Sequence, residues 1–160
     1  AETIVDKFIA DKIIISIYSQ ILSGFKGNIL LLLDEESAFK LVNICYDSQH
    51  EEKRSGVLTE IGISAIKEVG FIVISSYITA LSMILKTLII PSIPTMLSGP
   101  IQQIMNMAVS SFDNEEYLLL IEAIFEEPRQ KIKGCFYLVL NPTAMKDIRE
   151  SCKKLLKSID

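Results

Sequence analysis

The chain has 160 residues, a length that suits one domain able to bury about two-thirds of the surface its unfolded form exposes. With 49% apolar and 22% charged residues it is not of the disordered class, and a net charge of -4 leaves no basic face for a nucleic-acid partner. Three cysteines without metal-ligand spacing (Cys45, Cys135, Cys152) and a single histidine, His50, leave almost no material for a zinc site or a histidine dyad.

The first residues, Ala1-Glu2-Thr3, lack the positive region and cleavage site of a signal peptide. The thiols therefore read as reduced groups of a cytoplasmic protein, with Cys135 and Cys152 in or near the core. Residues 8–33 read as strands: Ile13 to Tyr18 is β-rich, and Asn28 to Leu33 is a short apolar run. Gly24 and Gly27 punctuate the turn between them. Asp34 has the character of an N-cap, with Glu35 and Glu36 in the first turn of a helix running to about Tyr46. Residues 47–55 form a polar, charged linker.

A long helix is expected from about Leu58 to Leu85, then a strand over 86–90 ahead of Pro91 and Pro94. Pro100 opens a helix from Ile101 to about Val109. Strands follow over about 116–126 and 132–140, and a last helix is capped by Asn141 with Pro142 at its first position. Lys146, Arg149, Lys153, Lys154 and Lys157 fit the solvated face and dipole-complementing end of that helix. Val69 to Leu85 carries no charge and approaches the length of a short membrane span. Ser75, Ser76, Thr79 and Ser82 interrupt it, and Glu68 and Lys86 bracket it, so a helix buried against a sheet explains it better. The cluster Asp113 to Glu116 reads as a turn, because the ligand spacing of a Ca²⁺ loop is missing.

One internal similarity organises the chain. Phe25 to Asp34 aligns without gaps onto Ile132 to Asn141, an offset of 107 residues: Lys-Gly, apolar strand, then an Asp or Asn cap. The second copy is preceded by the long helix. The first has only 26 residues before Gly27, too few for an equivalent, through divergence or because a chain beginning at Ala1 is a trimmed fragment.

On the long helix, positions 64, 68, 71 and 75 share one face. Ser64, Glu68 and Ser75 make that stripe polar, while Val69, Ile72, Val73, Ala80 and Ile84 lean toward other faces and are expected to pack on the sheet. Phe71 fits either the core or an exposed apolar anchor. The segment Ser64-Ala65-Ile66-Lys67-Glu68-Val69-Gly70-Phe71, then 22 residues, then Pro94, resembles the active-site pattern of the CheC-type chemotaxis phosphatases. That pattern is Asp or Ser, three residues, Glu, two residues, Asn, 22 residues, Pro. Glu68-Val69-Gly70, Ser76 to Leu81 and Ile90 to Pro94 extend the resemblance, which covers nearly all of residues 8–157.

The resemblance implies a single CheC-like domain over 1–160: an α/β fold with a mostly antiparallel sheet and long helices packed on it. It further implies a pseudo-two-fold repeat of halves near 1–50 and 56–160, the first incomplete. The implied partner is a CheY-like response regulator carrying an aspartyl phosphate and its own Mg²⁺, so this chain needs no metal or cofactor. Glu68 would pair with the regulator's active-site lysine, with Ser64 and Ser75 beside it. The family's Asn holds the attacking water in line; Phe71 occupies that position. Phosphoryl transfer depends on positioning and electrostatics, and an Asn amide both donates and accepts. Phenylalanine does neither, and loss of a water-positioning group costs a factor of roughly 10². Weak or absent hydrolysis is therefore expected. Further partners implied are the deamidase CheD, a flagellar-switch protein, or a second copy of the chain as a homodimer, with no membrane insertion.

Overall fold

In the computed structural model, which describes residues 12–46, 58–112 and 117–157, the two strands expected near the start form an antiparallel hairpin. β1 (Ile13–Ser23) and β2 (Gly27–Asp34) pair from Ile14 with Asp34 to Ile21 with Gly27. Gly24 turns the chain at φ 104°, a left-handed value that side chains disfavour, and a Cβ there would lie 2.8 Å from the Leu88 carbonyl oxygen. Asp34 then caps α1 (Glu35–Cys45), accepting the Ser37 N–H at 2.7 Å. The long helix α2 (Glu60–Leu85) begins after Thr59, whose hydroxyl oxygen accepts the Gly62 N–H. The polar linker over 47–55 and the cluster Asp113 to Glu116 lie outside the described residues.

The strand that the sequence suggests over 86–90 does not form. Lys86 takes a left-handed φ of 51° and closes α2, and the Thr87 N–H bonds back to the Ser82 carbonyl. Only Ile90–Pro91 pairs with β1, as β3, and the Ser92 hydroxyl continues the contact by accepting the Gln20 N–H. Pro91 and Pro94 lack the N–H a longer ladder needs. A further strand, β4 (Thr95–Pro100), runs beside β1 from Tyr18 with Thr95 to Ile13 with Pro100. Its sequence, Thr-Met-Leu-Ser-Gly-Pro, has no strand-like alternation; β1 supplies the order from outside.

Pro100 leads into α3 (Ile101–Val109) as expected. β5 (Leu119–Glu127) and β6 (Ile132–Leu140) form the second hairpin, and Asn141 caps α4 (Pro142–Leu156) by accepting the Ala144 N–H at 2.9 Å. The sheet order is β3-β1-β2-β6-β5, with β4 also on β1, and every pairing is antiparallel. The stretches aligned at an offset of 107 lie side by side as β2 and β6, and Leu30 sits opposite Tyr137, its aligned counterpart.

Helices cover both faces of this sheet, so β2 is buried throughout its apolar run instead of alternating. Ile29, Leu31 and Leu33 face α1, α2 and α4 through Val42, Ile66, Ile74, Ile78 and Ala144. Leu30 and Leu32 face α3 through Ile101, Ile104 and Ala108. Each such fully buried Ile or Leu stabilises the fold by roughly 1.5–3 kcal/mol. Asn28, buried on the α3 side, donates to the Ala108 carbonyl and the Ser111 hydroxyl and so ties the end of α3 to β2.

α2 lies on the sheet with one flank toward β1 and the other toward β6. Tyr77 stacks on Phe136 of β6 with ring centroids 5.5 Å apart, and Gly70 sits directly on Ile17 of β1. A Cβ at position 70 would lie 2.5 Å from Ile17 Cγ1. Gly70→Ala is expected to cost about 1–2 kcal/mol, overpacking outweighing the better helix former. Urea unfolding of the variant measures it, and a more stable variant would mean that the helix and strand can separate freely.

Candidate functional site

The Gly70–Ile17 contact fixes which way α2 is rotated. Gly62, Ala65, Ile66, Gly70, Ile74, Ile78 and Leu85 are buried, which turns positions 64, 68 and 71 outward. Ser64 and Glu68 are exposed and Ser75 is half-buried. Phe71 is 51% exposed, which resolves its two sequence readings in favour of a surface position. Pro94 lies in the turn that joins β3 to β4, one residue before Thr95 pairs with Tyr18. Its fixed φ and missing N–H suit the link between β3, which ends at Pro91, and β4, which begins at Thr95.

The stripe is less polar than its sequence suggests. The Ser64 hydroxyl donates to the Glu60 carbonyl at 2.9 Å, Ser76 to Ile72 at 2.8 Å, and Thr79 to Ser75 at 2.8 Å. These hydroxyls serve their own helix and offer less to a ligand. Apart from Lys67 and Glu68, the exposed residues near them are largely apolar. Ile72 and Ile84, which the sequence reading assigns to the sheet, are 56% and 46% exposed, and Ala80 is exposed as well. Ile61 and Met83 join them. Only 22% of the most apolar eighteen-residue window of α2 is buried, so the expectation of a helix buried against the sheet holds for one narrow face alone. By length and composition this helix could cross a bilayer; here it lies across the sheet.

The sequence signal that could have set the rotation is Gly70 itself. A glycine inside a helix marks close backbone approach, and 72, two positions on, must then point nearly opposite. Val69 and Val73, on the remaining flank, are half-buried and line an apolar groove of about 470 Å³ together with Leu41, Ile44, Phe125 and Phe136.

Glu68 supplies the stripe's one carboxylate, and it acts on the end of α1. The Cys45 thiol is pushed above its usual range, first by partial burial and then by the negative charge of Glu68. The site can thus offer a carboxylate to a cation and apolar contact to a protein surface. Phe71 places no donor or acceptor beside Glu68. Among the described residues no group of three or more His, Cys, Asp or Glu side chains could hold a metal ion.

No protein-family profile matches the chain, and no curated protein matches it. Several solved structures resemble it, two of them as follows. FliY from Thermotoga maritima superposes with a TM-score of 0.68 at 20% identity, covering 96% of this chain and 76% of that one. A chain of the CheX–CheY–BeF3–Mg²⁺ complex from Borrelia burgdorferi superposes with a TM-score of 0.56 at 16% identity, covering 88% of this chain and 92% of that one. The fold is the CheC/CheX/FliY-like α/β fold, as the sequence resemblance implies.

Removing the carboxylate beside Cys45 favours its thiolate, so the thiol pKa should fall and the thiolate fraction at a given pH should rise. Glu68→Gln is therefore expected to alkylate faster at Cys45 at pH 8, read by mass spectrometry of the modified peptide. An unchanged rate would separate the two side chains.

Proposed function

We propose that this protein recognises a phosphorylated CheY-like response regulator through the outer face of α2, and that it hydrolyses the aspartyl phosphate weakly or not at all. The observation that carries the reading is the shared exposure of Glu68 and Phe71 on one face, at the spacing of the family's Glu and Asn. The likeness of the fold to a chain of a CheX–CheY complex supports a CheY-related role.

In this reading the regulator brings the Mg²⁺ and the phosphoryl group. Glu68 meets the regulator's lysine, with Ser64 and Ser75 at the edge of the contact. Phe71 enters where a water-orienting amide would stand and excludes that water. Apolar Ile61, Phe71 and Ile72 then supply adhesion where an active phosphatase spends one position on chemistry.

The width of this apolar face favours a second reading, a non-catalytic interaction module that binds CheD or a flagellar-switch protein. The two differ in their dependence on phosphate: a regulator-docking face distinguishes phosphorylated from unphosphorylated regulator, and a general module does not. Either role is exercised in the cytoplasm.

The decisive comparison is the half-life of a phosphorylated CheY-like regulator with this protein and with its Phe71→Asn variant. The unmodified chain is expected to leave the half-life nearly unchanged, and the variant to shorten it by a factor of roughly 10 to 10². Full activity of the unmodified chain would refute the lost catalysis. No effect of either, with no complex formed, would remove the regulator as partner.

A further inference from the structure

Where α2 ends, it meets the end of α4. The N–H groups of Lys86 and Thr87 both return to the Ser82 carbonyl, and the left-handed φ of Lys86 turns the chain sharply off the helix. α4 brings Ser151, Lys154 and Leu155 alongside. Between the two helix ends lies an open pocket of about 370 Å³, inside the range of roughly 300–1,000 Å³ that small-ligand sites occupy.

The lining of this pocket divides by chemistry. Ile84, Leu85 and Leu155 form an apolar side, with Leu85 buried and Leu155 half-buried. Lys86 and Lys154 supply exposed ammonium groups, and Ser151 a half-buried hydroxyl. Among the described residues, none of these three side chains has a hydrogen-bond or ion-pair partner. The Thr87 hydroxyl is already committed, donating to the Leu85 carbonyl at 3.2 Å.

The charge here runs against that of the whole chain, which is -4. No Asp or Glu occurs over 69–112 or over 151–159. Glu150, one turn before Lys154, does not bridge it. The two helix C-termini carry roughly half a negative charge each. Lysines commonly offset such ends, but Lys153 and Lys157 add to Lys86 and Lys154, and together they exceed the dipole charge by about three units. A net positive potential is left over the pocket.

We infer that this pocket binds a small organic anion, one carboxylate or phosphate group carried on a short apolar body. The anionic group lies between Lys86 and Lys154 and accepts the Ser151 hydroxyl, while the body covers Ile84, Leu85 and Leu155. Neither half suffices alone. An exposed ion pair contributes at most about fivefold in affinity, so the apolar contact supplies the remainder. The site is separate from the regulator-docking face, because Lys86 stands about 22 Å along the helix axis from Phe71. It also shares no lining residue with the groove beside Val69 and Val73.

Hexyl phosphate is the probe, with inorganic phosphate and hexanol as its charged and apolar halves. In amide NMR spectra hexyl phosphate is expected to shift residues 84–87 and 151–155 saturably, and each half to bind there more weakly. Lys86→Gln and Lys154→Gln should each weaken hexyl phosphate by about two- to fivefold, and the double variant by more. Thermal melts should be unchanged, since both side chains are exposed. Added salt should weaken binding as well. Saturable shifts only elsewhere, an affinity indifferent to both substitutions, or equal affinity for hexanol or inorganic phosphate would overturn the inference. Sedimentation with vesicles of phosphatidylglycerol and phosphatidylcholine separates two sources of such an anion. Sedimentation that the double variant loses assigns the pocket to a lipid headgroup; hexyl phosphate binding without sedimentation assigns it to a soluble anion.

Discussion

Everything displayed by this molecule depends on one close approach, that of Gly70 in α2 to Ile17 in β1. A helix lying on a sheet can rotate about its axis until some pair of surfaces fits best, and here the missing side chain decides. With Gly70 inward, Ile66, Ile74 and Ile78 enter the core shared with β1 and β2. By the same rotation Glu68, Phe71 and Ile72 cannot enter it. Helical geometry allows no compromise, because neighbours on a wheel are fixed relative to one another. The candidate site is therefore a consequence of packing on the opposite side of the helix.

That rotation has a chemical result that neither composition nor spacing would suggest. A helix with several serines and threonines among its apolar residues reads as partly hydrophilic. In the fold Ser64, Ser76 and Thr79 direct their hydroxyls to carbonyls of their own helix. The outer face then shows methyl groups, the Phe71 ring and the Glu68 carboxylate, with Lys67 beside them. Such a face suits adhesion to protein better than the handling of a water molecule. Phe71 belongs to the same chemistry, and its exposure makes it part of the face instead of part of the core.

The elements legible in the sequence are those whose causes are local. Asp34 and Asn141 cap their helices because a short side-chain acceptor lies within reach of an N–H three residues on. Gly24 turns because it tolerates a positive φ. The elements that are not legible have distant causes. β4 is held by β1, more than seventy residues earlier, and its own Thr-Met-Leu-Ser-Gly-Pro carries no strand signal. The run over 86–90 reads as a strand, but Lys86 and Thr87 are taken up in closing α2, and Pro91 and Pro94 keep the ladder short. Sequence reasoning assigns Ile72 and Ile84 to the sheet because an isoleucine in a neutral stretch usually has somewhere to bury. Here the sheet is already occupied by the other flank.

Sequence alone determined the strand, cap and helix order, the doubled strand-and-cap unit and the spacing of Ser64, Glu68, Phe71 and Pro94. These arise from chain periodicity, backbone freedom and short-range hydrogen bonds, all of which act within a few residues. Only the tertiary structure decided that Phe71 faces outward, that β4 completes one border of the sheet and that β5, among the described residues, pairs with β6 alone at the other. Those outcomes depend on which surfaces compete for the same buried area. Competition between segments far apart in the chain has no signature at the positions of the winners.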